Sequence, residues 1–116
     1  MDLRTYHHGI ELFNRAEFYD AHEVLEDVWR ASSAPEKKFL QALIQTAVAL
    51  HHHSTGNVVG CRSLMARALR NFHGYPEGFC GVEMEPLRAS LSEWGRALEE
   101  GGPLPALPRV RVTRQP

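Results

Sequence analysis

Apolar positions recur at helical spacing along nearly the whole chain, and strict alternation appears only near the end. Leu3, Tyr6, Ile10 and Phe13 predict a first helix capped by Asp2, with a short break at Asn14 and Ala16. A second helix is expected from about Glu17 to Ala31, with Phe18, His22, Leu25 and Trp29 on one side. Ser33-Ala34-Pro35-Glu36 reads as a capping box with proline in the first turn, so a third helix starts there and runs to about Thr55, stopping at Gly56. A fourth, from near Asn57, carries the stripe Cys61, Leu64, Met65, Ala68 and Phe72. Residues 74–82 are turn-rich and read as a loop. A fifth helix carries Leu87, Leu91, Trp94 and Leu98.

From Gly101 onward the chain holds four of its seven prolines and is expected to be extended. Val110 and Val112 alternate with arginines, as in a strand, but a lone strand has no visible partner. The expected architecture is all-α: one bundle of about five antiparallel helices over residues 1–100, and an extended proline-rich tail over 101–116.

Helix three differs from the rest. Phe39, Leu43, Ala47 and Leu50 share one side, Gln41, Gln45, Val48 and His52 share the opposite one, and most positions between are apolar. A helix apolar nearly all round belongs at the centre of a bundle. Its Gln–Gln–His stripe is then partly buried and needs polar partners.

The candidate chemistry sits on helix two. His22 and Glu26 are one turn apart on one face, at the edge of the apolar stripe, and Tyr19 and Arg30 line the same edge. An imidazole and a carboxylate at that spacing can ligate one divalent ion. His52 from the central helix would be a third ligand, with Tyr19, Trp29 and Gln45 supporting the set. If a metal-bound water forms there, Glu26 or Tyr19 is placed to handle its proton. The alternative is structural: Glu26 accepts a hydrogen bond from His22 or Arg30, and the cluster only satisfies buried polarity. HEVLE begins like the zinc-protease motif HExxH, but Glu26 stands where that motif needs its second histidine, which removes the protease reading.

Composition narrows the remaining choices. The 116 residues make one domain, 43% hydrophobic and 23% charged, which excludes a disordered chain. The net charge is −1, and the arginines of the second half, Arg62 to Arg114, are scattered rather than clustered. A nucleic-acid partner is therefore not expected. Cys61 and Cys80 are too few for a disulfide scaffold; Cys61 reads as core, and Cys80 lies in the loop. There is no signal peptide and no apolar run near ~20 residues, so the expected location is cytoplasmic and no membrane partner is implied. There is no nucleophile elbow and no phosphate-binding glycine loop. Residues 49–68 loosely follow a tetratricopeptide helix pair, but a single copy reads as a plain αα-hairpin. Self-association into a homo-oligomer, as a non-catalytic interaction module, is the competing functional reading.

Two stretches carry a family resemblance. One is the pattern HxxxExxW, formed by His22, Glu26 and Trp29 within FNRAEFYDAHEVLEDVWR. The other is FLQALIQTAVALHHHSTGN, with Gln45, His52, Gly56 and Asn57 at matching positions, and a weaker likeness continues through Leu69 and Tyr75-Pro76. Over residues 8–98 the chain resembles a family of small bacterial and archaeal proteins known as domain of unknown function number 309. The resemblance implies a helical bundle and a role for the His/Glu motif, with metal binding suspected. It implies no established activity.

Overall fold

The computed structural model describes residues 1–113; Arg114 lies outside them. Five α-helices follow in chain order: α1 (Leu3–Asn14), α2 (Phe18–Arg30), α3 (Glu36–Ser54), α4 (Val58–Phe72) and α5 (Met84–Glu100). A single 3-10 turn, Phe79–Gly81, interrupts the α4–α5 connection. Each helix packs on its chain neighbour, and α3 lies between α2 and α4. Phe39, Leu40, Ala42, Leu43, Ala47, Ala49 and Leu50 of α3 are all buried, as its nearly continuous apolar surface requires.

Local chemistry explains the boundaries. Asp2 caps α1 by accepting from the Thr5 amide at 3.2 Å. Thr5 Oγ1 also donates to Asp2 at 2.6 Å, and these bonds hold the Asp2 carboxyl below its ordinary value. Ala16 in the break takes a left-handed φ of 63°. Gly9 sits where α1 crosses α2; a Cβ there would lie 2.7 Å from Leu25 Cδ2. Asn57 caps α4 by accepting from the Gly60 amide at 2.8 Å.

Three sequence expectations need correction. Leu3 shares the α1 stripe but, as the first residue of the helix, is 60% exposed. The expected capping box is not formed: α3 starts at Glu36 with no side-chain cap, and Ser33 contributes only its carbonyl, to the Lys37 amide at 3.1 Å. The third concerns the strand-like end. Val112 does find a partner, an antiparallel bridge with Val82 in the α4–α5 connection.

That bridge belongs to a set of contacts that docks residues 102–113 on the bundle. Asn14 Nδ2 donates to the Val110 carbonyl, and the Val110 amide donates to Asn14 Oδ1, both at 2.8 Å. Trp94 Nε1 donates to the Ala106 carbonyl at 2.9 Å. Val110 is buried with the core. The connection before α5 is equally tied. Glu77 accepts from the Met84 and Glu85 amides, capping α5 from outside the helix. Arg88 donates to the Phe72 and Tyr75 carbonyls beyond the end of α4.

Candidate functional site

His22, Glu26, Trp29, Tyr19 and Arg30 lie on one face of α2, as the 100° helical step requires. The His22 side chain is 19% exposed and Glu26 36%, a half-buried pair at the rim. His22 Nδ1 lies 2.6 Å from the Tyr19 carbonyl. A carbonyl only accepts, so Nδ1 carries a proton, and in the neutral form of the ring the lone pair is on Nε2. Nε2 faces Glu26 Oε2 at 3.7 Å, beyond hydrogen-bond distance. Arg30 Nη2 approaches the same oxygen at 3.9 Å, while its Nη1 is bonded to Asp27 at 3.0 Å.

The indole of Trp29 is the other open group. Its Nε1 is buried and finds no hydrogen-bond partner among the described residues. Its ring is covered by the Lys37 ammonium, 4.3 Å from the centroid.

The two polar faces of α3 part company. The ring of Tyr19 lies 5.0 Å from His22 and 5.3 Å from His51, so His51 is a histidine of α3 that reaches the α2 face. His52 and Gln45 turn to α4: Asn57 Nδ2 meets His52 Nδ1 at 3.5 Å, and Asn71 donates to Gln45 Oε1 at 2.8 Å. Consecutive residues of a helix are 100° apart, so His51 and His52 address different neighbours. Among the described residues, no three His, Cys, Asp or Glu side chains converge to hold one ion. The set His22–Glu26–His52 is thus not assembled; His22 and Glu26 are together, with Tyr19 and His51 beside them. The run His51–His53 was the available signal, but facing it correctly requires knowing which flank of α3 each helix takes.

Neither thiol is activated. Burial pushes Cys61 up to about 11. Burial, aided by the charge of Glu36, does the same for Cys80, also to about 11.

A five-helix bundle with an open His/Glu pair on its second helix is the class that fold and face define. Residues 6–64 match the family described as a domain of unknown function (DUF309), and the chain belongs to that family. It is 36% identical over 92 residues to an uncharacterized protein of Aquifex aeolicus (strain VF5), covering 78% of this chain and 28% of that protein. It is 34% identical over 62 residues to the uncharacterized protein YpuF of Bacillus subtilis (strain 168), covering 53% of this chain and 36% of YpuF. The matched stretches thus span about a third of the length of these curated relatives. Among the described residues no helix is long and apolar enough to cross a membrane.

Proposed function

We propose that the α2 face is a two-point site for a divalent cation. His22 Nε2 and the Glu26 carboxylate each give one bond, and the other positions are left to water or a ligand. One observation carries this reading: the Tyr19 carbonyl fixes the His22 tautomer and leaves a bare Nε2 lone pair 3.7 Å from Glu26 Oε2. Two lone-pair donors at that separation suit one ion with bonds of roughly 2.1 Å. A backbone carbonyl on the remote imidazole nitrogen is the usual orienting contact of a metal-ligating histidine. Arg30 opposes a cation, but Asp27 already holds its guanidinium at the shorter distance and can keep it aside. A bound divalent ion would supply Lewis-acid activation of water or of a ligand oxygen.

The test is metal content by elemental mass spectrometry on untagged protein purified without chelating resin, wild type beside His22→Ala. A near-stoichiometric metal lost in the variant is the expected result. No metal in either protein overturns the proposal.

A second reading is self-association as a non-catalytic module, with His22–Glu26 a structural contact. Adjacent Val58 and Val59, 46% and 75% exposed at the start of α4, favour it. Light scattering that finds a monomer at high concentration removes it. A reducing, cytoplasmic setting suits both readings, since Cys61 and Cys80 are free.

A further inference from the structure

We propose that the cleft between α1 and residues 110–113 takes an extended peptide segment of a partner protein, laid against the free backbone edge of Val112. The hydrogen-bond register sets the direction of that edge. Thr113 donates to the Gly81 carbonyl and Glu83 donates to the Arg111 carbonyl, on either side of the Val82–Val112 bridge. Val82 and Val112 are therefore a non-hydrogen-bonded antiparallel pair, and the N–H and C=O of Val112 point away from Val82.

Two residues earlier, Val110 points its N–H and C=O the same way, and both are taken by the Asn14 amide. Asn14 thus stands in for a neighbouring strand at Val110. No such group serves Val112: among the described residues, nothing bonds its N–H or C=O. An unpaired edge is a template for strand addition.

That edge opens on a cleft of about 1290 Å³, whose lining joins Leu3, Val112 and the buried Ile10 and Val110 with the polar Asn14 and Ser33. The volume exceeds the ~300–1,000 Å³ of small-molecule sites, and exposed Met1 and Leu3 with half-buried Val112 offer apolar surface to side chains at alternate peptide positions. Charge completes the description of the occupant. Two carboxylates line the cleft, Glu11 and Glu36. Glu11 is paired with Arg15 at 2.5 Å, whereas Glu36 has no ion pair among the described residues. The fitting segment is extended, apolar at alternate positions, and carries a lysine or arginine for Glu36.

The experiment selects a displayed random heptapeptide library on the full chain. A selected peptide, made synthetically, is then titrated into ¹⁵N-labelled protein. Enriched sequences should alternate apolar residues and include a basic one, and the Val112 amide should shift downfield as its hydrogen bond forms. N-methylating the peptide residue opposite Val112 should weaken binding at least tenfold. Glu36→Gln should weaken it three- to tenfold and flatten its salt dependence. The proposal is overturned if no sequence is enriched, if the Val112 amide does not move at saturation, or if the N-methylated peptide binds equally well. The N-methyl arm needs no protein variant, so misfolding cannot imitate a positive result.

Discussion

The two tryptophans occupy opposite roles. Trp94 is 2% exposed, and its indole N–H is bonded to the Ala106 carbonyl, so it ties α5 to the docked tail. Trp29 is only partly buried, yet its indole N–H is sealed from solvent without a partner among the described residues. The same division separates Asn14 from His22. Asn14 uses both ends of its amide on Val110; His22 uses one nitrogen on Tyr19 and leaves the other open beside Glu26. Polar side chains that hold this fold have their bonds filled. On the α2 face His22 Nε2 and the Trp29 indole N–H go without a hydrogen bond among the described residues, which stability alone does not require.

That contrast can be broken by substitution. The largest effect is expected at Trp94→Ala, which empties a core site and removes the tail's anchor; a loss of roughly 3–5 kcal/mol should show in chemical denaturation. Asn14→Ala comes next. It leaves the Val110 amide and carbonyl unpaired, which should cost about 1–3 kcal/mol and speed hydrogen exchange at Val110. His22→Ala should change stability by less than about 1 kcal/mol, because the site is at the rim and breaks one local bond. A loss as large as that of Asn14→Ala would place His22 among the structural groups. Trp29→Phe should be nearly neutral, within about 0.5 kcal/mol, since the indole N–H has no bond to lose.

At neutral pH the smallest effect on stability concerns the thiols. With Cys61 raised to about 11, stability drawn from the buried neutral thiol is full below its ordinary value of 9.0 and is lost as pH rises through 11. Iodoacetamide at pH 8 should therefore label native Cys61 far more slowly than an unfolded control.

The fold was legible because its elements carry strong local signals. The α4 stripe, the Asp2 cap, the start near Asn57 and the stop at Gly56 each state a helix or its end in adjacent residues. What could not be read depends on distant pairing. The bridge of Val112 to Val82 joins segments 30 positions apart, and Asn14 meets Val110 across 96. The capping box failed for a different, local reason: the Lys37 amide bonds the Ser33 carbonyl, and no side chain caps α3. At the candidate site, His22 and Glu26 were legible because one helical turn brings them together. The third position was not, because choosing between His51 and His52 depends on how α2 and α4 flank α3.

The sharpest test of the His22–Glu26 site is a ¹⁵N NMR titration with substoichiometric Mn²⁺, which broadens amides near the bound ion. With seven histidines in the chain, location matters more than affinity. The amides around His22 and Glu26 should disappear first, and His22→Ala should abolish this pattern. Broadening that begins elsewhere, or that persists unchanged in His22→Ala, would contradict the His22–Glu26 site.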